Sequence, residues 1–338
     1  MKLVSVIKSN LEEHRANEPL ILLTMGDANG IGPEIILKIY NETSYFTSYN
    51  LKVAGSKKIM DYYAQIFNLT EIPSDFFCEI PVKEKFDVKI GEINKSAGKY
   101  SGDCVAAAAK MCLEKKVEAM VTLPISKEAF NLGGYAFNGH TEMLTSLSNS
   151  FASAMLLYSK KITISLATIH IPVEQVAHKI GREMLIEKII LINNSLIKDF
   201  RKIEPKIAVL GLNPHAGDGG MIGKEDDEII IPAIKELRDF GFNIQGPFPS
   251  DGYFATGKYK QFDLTFAMYH DQGLIPFKMI AFEKGVNFTA GLDFIRTSPD
   301  HGTAFDIAGR GVANTMSTLK AIKLARKIAK NRNSYVVS

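Results

Sequence analysis

The 338-residue sequence contains no tryptophan, only three cysteines and almost no excess of one charge. Cys78, Cys104 and Cys112 are odd in number, and their spacing fits neither a zinc ribbon nor a disulfide framework. We therefore expect free thiols in a reducing cytoplasm. Basic residues number 40 and acidic residues 37, and this balance argues against nucleic acid as the main partner.

Long apolar runs are also missing. No stretch approaches the ~18 residues that a membrane helix needs, so we expect no membrane partner. The first twenty residues lack the uninterrupted apolar segment of a secretory signal, and they predict at most a short amphipathic helix before the first strand. Hydrophobic residues make up 46% of the chain, which is enough for a large core in a cytoplasmic protein.

Short β-rich runs alternate with helical stretches along the chain. This alternation predicts an α/β protein with a largely parallel sheet. Strands are predicted at 21–25, 51–56, 119–124, 152–159, 162–170, 206–215 and 263–271, the fourth and fifth as an antiparallel pair. Helices are predicted at 33–40, 57–67, 101–116, 180–200, 226–241 and 305–330.

Three of the predicted strands end on a histidine: His170, His215 and His270. In open α/β sheets the carboxyl ends of the strands line the ligand crevice. Three imidazoles placed there could meet around a catalytic divalent cation. A single histidine at a strand end is, however, more often a hydrogen-bonded structural residue, and the pattern alone leaves both interpretations open.

The segments next to these histidines are polar and rich in glycine. Asp271 follows His270 directly, either to orient the ring or to accept a proton.

The glycine-rich segment GDANGIGPE, at 26–34, lies between a predicted strand and a predicted helix, and it matches neither G-x-G-x-x-G nor a P-loop. It predicts a tight strand-to-helix turn with Pro33 at the helix start.

Two more segments carry groups suited to anions. NGHTEML offers His140 and Thr141 at a helix start, where they could bind an anion or where Thr141 could cap the helix. Arg296, beside Thr297 and Ser298, suits a phosphate or carboxylate but could equally form a surface salt bridge. Further on, the segment HGTAFDIAG at 301–309 could contact an adenosine or cap the following helix.

Together these segments resemble the 4-hydroxythreonine-4-phosphate dehydrogenase family. The matching stretches run in order from about Thr24 to Gly309: TMGDANGIGPE, VTLPISKEAF, GHTEML, LNPHAGDGGMIGKED, YHDQGLIPFK and NFTAGLDFIRTSPDHGTAFDIAG. HGTAFDIAGRGVAN is also similar to the cofactor loop of isocitrate and isopropylmalate dehydrogenases. Ala28-Asn29 stands where the family usually has Pro-Ala.

The resemblance implies two α/β subdomains around a cleft, as in isocitrate and isopropylmalate dehydrogenases. The first would comprise 1–135 plus 285–338 and carry a cofactor loop at 301–314. The second would comprise 136–284 and carry the metal and dimer contacts. The protein would be a homodimer with its active site at the subunit interface, and each metal site would take ligands from both subunits.

The family also implies specific ligands. One divalent ion, zinc, magnesium or cobalt, would be held by His170, His215 and His270. Substrate contacts would come from His140, Thr141, Lys278, Asn287 and Arg296. NAD would contact His301, Gly302, Ala304, Asp306 and Asn314. NADP is less expected, because the sequence shows no clear basic cluster for a 2′-phosphate, although Arg310 lies close.

The implied reaction is oxidation of 4-phosphohydroxy-L-threonine by NAD, in vitamin B6 biosynthesis. The β-keto acid product would lose carbon dioxide to give 3-amino-2-oxopropyl phosphate. Asp251 and Asp271 are candidates for the catalytic base on chemical grounds only. Two alternatives stay open: a dehydrogenase of a related four-carbon phosphate such as phosphothreonate, and a metal-dependent phosphate-ester binding protein or hydrolase without redox activity. The loop at 301–314 distinguishes the dehydrogenases from the hydrolase, since a hydrolase needs no dinucleotide site.

Overall fold

The computed structural model describes residues 18–82, 87–137, 139–148 and 150–334, so the helix predicted before the first strand lies outside the described residues. The strands are β1 (Ile21–Thr24), β2 (Leu51–Gly55), β3 (Phe77–Glu79), β4 (Ala119–Thr122), β5 (Ala154–Tyr158), β6 (Thr163–Leu166), β7 (Ile207–Leu210), β8 (Ile244–Phe248), β9 (Leu264–Ala267), β10 (Val286–Ala290) and β11 (Ile295–Pro299).

The helices follow the same order along the chain. They are α1 (Gly32–Glu42), α2 (Tyr45–Ser48), α3 (Lys57–Phe67), α4 (Lys95–Leu113), α5 (Lys127–Leu132), α6 (His140–Leu147), α7 (Val173–Lys179), α8 (Arg182–Lys198), α9 (Ile231–Asp239), α10 (Ser250–Ala255), α11 (His270–Ala281) and α12 (Met316–Asn333). The three cysteines are unpaired. Within the described ranges, no helix has the length and apolar character needed to cross a bilayer.

The chain folds into two compact units, and the first ends at Phe151 and resumes at Leu292–Asn333. Its strands lie in the order β3-β2-β1-β4-β11, and every neighbouring pair is parallel. All residues of β1 and β4 are buried, as expected for parallel strands covered by helices. The predicted α/β class is confirmed.

The core of the first unit forms between this sheet and the long helix α4. Val105, Ala108 and Ala109 of α4 pack against Leu22 and Met120 of the sheet. The side chain of Asn94 caps α4, because its oxygen accepts the N–H groups of Ser96 and Ala97. Small residues along α4 bring it close to both sheet and neighbouring helices.

The second unit comprises Ala152–Gly291. Its strands lie in the order β10-β5-β6-β9-β7-β8. β5 is antiparallel to both β10 and β6, which confirms the predicted antiparallel pair. β6, β9 and β7 are neighbouring parallel strands, so their carboxyl ends meet at one edge of the sheet.

The unit boundaries differ from the predicted divisions at 135/136 and 284/285. Residues from 136 to Phe151 stay with the first unit, because Met143 and Leu144 of α6 join the core that contains Phe130. β10 belongs to the second unit because it pairs with β5. His140 and Thr141 therefore lie in the first unit, and Asn287 lies in the second.

Several predicted elements are shorter than expected. The strands predicted at 162–170, 206–215 and 263–271 end at Leu166, Leu210 and Ala267. The last helix begins at Met316 rather than 305, because Gly309 and Gly311 adopt positive φ, which an α-helix does not allow. β10 and β11 were not predicted, since their polar residues hide the apolar pattern.

Candidate active site

His170, His215 and His270 lie in one unit, shortly after the ends of β6, β7 and β9. The His170 and His270 ring centroids are 5.8 Å apart. The loops after β6 and β9 are tied together, because Thr168 donates its N–H and hydroxyl to the Met268 carbonyl. Among the described residues of the single chain, no three His, Cys, Asp or Glu side chains are grouped closely enough to hold a metal ion.

His270 is the first residue of helix α11, not the last residue of a strand. Its Nδ1 lies 2.7 Å from Oδ1 of Asp271. An ionised carboxylate only accepts hydrogen bonds, so Nδ1 is the donor of this contact, and in a neutral ring Nε2 is then the nitrogen with the lone pair that a cation needs. This contact supports the orienting interpretation of Asp271. Asp251, the other candidate base, is exposed in the first turn of α10.

In the first unit the structure brings Arg296 and His140 within electrostatic range of each other. Arg296 is buried on β11, and its Nε donates to Oγ1 of Thr122 at 2.9 Å. Burial lowers the pKa of Arg296 to about 10. Burial, helped by the charge of Arg296, holds the pKa of His140 well below its ordinary value, so the imidazole is neutral. Thr141 follows in the same helical turn.

The remaining predicted substrate residues lie in the second unit. Asn287 is on β10, and its Oδ1 is buried without a hydrogen-bond partner among the described residues. Lys278 is exposed on α11, the helix that begins with His270. A cationic side chain and an amide therefore share the unit that carries the three histidines.

The predicted cofactor segment, 301–314, forms turns before α12. Nε2 of His301 is buried without a partner in the described part of the chain, and burial lowers the pKa of this ring. Ala304 adopts a positive φ of 45°. Gly302 and Asp306 are exposed, and so is Asn314, whose Oδ1 accepts the Met316 N–H.

Glu34 and Lys38 hold this segment, and the sequence interpretation overlooked both. Buried Glu34 accepts the N–H of Ala313 at 2.6 Å. Lys38 donates to the carbonyls of Gly311 and Ala313 at 2.8 and 3.0 Å. The turn at 26–34 has the predicted proline at the helix start, and its helix α1 thereby also positions 301–314. In the sequence, the signal that could have indicated this role was a glutamate and a lysine four residues apart on one predicted helix.

Asn29 stands where the family usually has the alanine of Pro-Ala, and its side chain bonds to the neighbouring segment 89–92. Its Oδ1 accepts the Lys89 N–H and its Nδ2 donates to the Glu92 carbonyl, both at 2.9 Å. Its own carbonyl accepts the Gly91 N–H at 2.8 Å. Alanine could make only the last of these bonds, so Asn29 adds rigidity between the turn and residues 89–92.

Lys188 is a second residue that the sequence pattern did not single out. It lies on α8, and its Nζ donates to the carbonyl of Ala167 at 2.5 Å, just beyond the end of β6. Burial lowers the pKa of this amine. A lysine on a long amphipathic helix looks like a surface residue in sequence, and only the packing of α8 on the sheet reveals its position.

Comparisons with known proteins agree with this architecture. The sequence profile of the pyridoxal phosphate biosynthetic protein PdxA family matches residues 47–325. A 4-hydroxythreonine-4-phosphate dehydrogenase from Prosthecochloris aestuarii is 44% identical, over 91% of this chain and 97% of its own. A protein from Oceanobacillus iheyensis, named as a candidate D-threonate 4-phosphate dehydrogenase, is 36% identical over 93% of this chain and 99% of its own.

A solved structure gives the same result. The crystal structure of 4-hydroxythreonine-4-phosphate dehydrogenase from Klebsiella pneumoniae superposes with a TM-score of 0.82 at 35% identity, covering 93% of this chain and 98% of that one. Since the family profile spans most of the sequence and these relatives match almost end to end, the chain belongs to the pyridoxal phosphate biosynthetic protein PdxA family.

Proposed function

We propose that this chain is an NAD- and divalent-metal-dependent dehydrogenase of 4-phosphohydroxy-L-threonine. Its β-keto acid product would lose carbon dioxide to give 3-amino-2-oxopropyl phosphate, in vitamin B6 biosynthesis. One observation carries the proposal: Nε2 of His140, Oδ1 of Asn287 and Nε2 of His301 are buried without partners among the described residues. Buried polar atoms are normally hydrogen-bonded, and these three belong to residues that the family resemblance assigns to substrate or cofactor.

The residues present fit a divalent cation. Three imidazoles follow neighbouring parallel strands, and the contact of Asp271 with Nδ1 of His270 leaves Nε2 as the nitrogen that the neutral ring would offer to a cation. Imidazole nitrogens suit zinc or cobalt better than magnesium, which prefers oxygen. When bound, the cation would act as a Lewis acid that lowers the pKa of the substrate hydroxyl.

The segment 301–314 fits a dinucleotide. His301 presents a buried ring nitrogen without a partner in the described chain, and Glu34 and Lys38 fix the backbone of the segment from α1. The nicotinamide would supply the hydride acceptor. NADP is a less favoured cofactor, because a 2′-phosphate calls for a basic cluster and the segment itself contains one arginine, Arg310, and no lysine.

The chain's own side chains would bind and orient the substrate. The buried guanidinium of Arg296 attracts an anionic group of the substrate, and the neutral imidazole of His140 donates a hydrogen bond. Lys278 contributes a second cation for the phosphate. Asp251 or Asp271 would take the hydroxyl proton; Asp271 already holds the His270 ring, so the same carboxylate would have to serve both tasks.

We further propose a homodimer with the active site at the subunit interface. No three metal-binding side chains are grouped within the described residues of one chain, which supports a site whose ligand set would be completed by a second copy. Helix α11, which begins at His270, exposes the apolar side chains of Ile275 and Met279, and Phe282 continues this surface beyond the helix end. A second copy of the chain would cover it.

The test is a turnover assay with purified protein, NAD or NADP, and zinc, cobalt or magnesium. We expect 4-phosphohydroxy-L-threonine to reduce NAD in the presence of one of these cations. His215→Ala should lose both turnover and bound metal, whereas His178→Ala, at an exposed position on α7, should keep both. Normal metal content and turnover in His215→Ala would refute the ligand assignment.

The Oceanobacillus relative favours a second candidate substrate, D-threonate 4-phosphate. Both compounds are four-carbon phosphates, so the anion-binding groups Arg296 and Lys278 suit either. The same assay decides, because the preferred substrate has the higher kcat/KM. Release of inorganic phosphate without reduction of NAD would instead favour the hydrolase alternative.

A further inference from the structure

The carboxyl edge of the sheet in the first unit carries polar side chains on the face that α4 covers. Leu22 of β1 and Met120 of β4 pack against α4. Side chains two residues apart on a strand point to the same face, so Thr24 and Thr122, which end these two strands, also lie on the α4 face. Thr24 and Thr122 are partners in the parallel register, and their backbones are therefore about 5 Å apart.

Arg296 and His140 belong to the same face of this sheet. Arg296 is the register partner of Met120 on the neighbouring strand, and its Nε donates to Oγ1 of Thr122 at 2.9 Å. His140 begins α6, whose buried residue Met143 lies in the same core cluster as Met120. This end of the face therefore gathers a guanidinium, an imidazole and two threonine hydroxyls.

The hydroxyl of Thr24 has no role in holding the fold together. Thr24 is fully buried, and its Oγ1 has no hydrogen-bond partner among the described residues. An unpaired buried hydroxyl costs free energy, which a valine of nearly the same shape would avoid. Nε2 of His140 is buried in the same condition. Two such atoms beside the buried guanidinium of Arg296 suit an anion that accepts hydrogen bonds.

We propose that Thr24 is a further substrate-binding residue, whose hydroxyl donates to the same anionic group as Arg296 and His140. This inference rests on the proposed binding of a substrate anion at Arg296. Carboxylate and phosphate oxygens both accept hydrogen bonds from hydroxyl, imidazole and guanidinium groups. The subsite therefore suits either charged end of a four-carbon phosphate.

Thr318 offers a matched comparison on the opposite face of the sheet. Thr297 follows Arg296 on β11 and points the other way, and its hydroxyl donates to the Ala321 carbonyl at 3.0 Å, so α12 covers that face. Thr318 lies three residues earlier on α12, is fully buried, and has an Oγ1 without a partner in the described part of the chain. It matches Thr24 in chemistry and burial but lies away from the face that carries Arg296 and His140.

The test measures kcat and KM for 4-phosphohydroxy-L-threonine and D-threonate 4-phosphate, and competitive inhibition by inorganic phosphate alone and by acetate alone. Thr24→Val removes the hydroxyl with little change of shape. We expect it to raise KM roughly 10–100-fold, as for one lost hydrogen bond to a charged group, with a much smaller change in kcat. Weaker inhibition by phosphate would assign the subsite to the phosphate of the substrate, and weaker inhibition by acetate to its carboxylate. Thr24→Ser keeps the hydroxyl and should keep the affinity.

Thr318→Val is the control, and it should leave KM and the inhibition by both anions unchanged. Thermal unfolding separates binding from a structural role, because loss of an unpaired hydroxyl should leave Thr24→Val at least as stable as the unchanged protein. A Thr24→Val variant with unchanged KM and unchanged inhibition, whatever its stability, would overturn the inference and leave the proposed function standing. Failure of the unchanged protein to turn over either four-carbon phosphate would overturn both.

Discussion

Some residues of this protein bury polar atoms that have no hydrogen-bond partner among the described residues. Asp27, in the turn after β1, is fully buried. Its Oδ1 accepts the Asn29 N–H at 2.9 Å, while Oδ2 has no partner within the described residues. Burial raises the pKa of this carboxyl from 3.8 to about 6, because desolvation disfavours the charged form.

The pH dependence of stability follows from the sign of that shift. The folded protein binds the proton of Asp27 more tightly than the unfolded chain does, so stability falls as pH rises from 3.8 through about 6. At pH 8 the carboxylate is charged and buried. We predict that Asp27→Asn raises the free energy of unfolding there by about 1–3 kcal/mol.

Urea denaturation at a series of pH values checks this prediction. The gain in Asp27→Asn should grow between about pH 4 and pH 7. Asp75→Asn, at an exposed position, should show no such growth. An Asp27→Asn variant that is less stable than the unchanged protein at pH 8 would contradict the prediction.

At the scale of elements, the contact between α4 and α5 depends on one glycine. A Cβ built on Gly98 would lie 1.9 Å from the carbonyl oxygen of Ala129 and 2.6 Å from the nitrogen of Phe130. Both are backbone atoms, so no side-chain rotation can relieve the clash. The two helices can approach this closely only because residue 98 has no side chain.

We predict that Gly98→Ala destabilises the protein by about 3 kcal/mol or more, as the helices are forced apart. Gly181→Ala is the matched control, since nothing lies within 4 Å of its added Cβ and its φ is −130°. That change should stay within about 0.5 kcal/mol of the unchanged protein. Thermal unfolding measures both, and equal midpoints would refute the prediction.

At the scale of the whole molecule, the proposed dimer depends on the exposed apolar surface of α11, which a second copy would cover. Met279 is 82% exposed in the single chain. If a second copy covers it, a charge at this position would be buried without a partner, at a high cost. We predict that Met279→Glu converts the dimer to a monomer and lowers turnover in parallel.

Light scattering coupled to size-exclusion chromatography measures the mass. Ile203→Glu is the control, because Ile203 is 92% exposed and lies far from α11 in sequence, between α8 and β7. It should leave the mass unchanged. If the unchanged protein is a monomer, or if the Met279→Glu variant is a dimer, the proposal that α11 forms the dimer interface is refuted.

The sequence by itself determined the α/β class and most of the elements. Apolar runs and glycine or proline turns are local signals, so the ends of β1, β2, β4 and helix α3 were predicted to within two residues. Local signals failed where polar residues stand on buried strands, as in β10 and β11, and where a histidine starts a helix rather than ending a strand.

The residue motifs also determined the family and the candidate site residues. Only the tertiary structure decided that β6, β9 and β7 are parallel neighbours, which places the three histidines at one edge of a sheet. It alone showed that Glu34 and Lys38 hold the segment 301–314, and it alone showed which buried polar atoms lack a partner among the described residues. The physical reason is that hydrogen bonds and burial join residues far apart in the chain, and no local pattern encodes those distances.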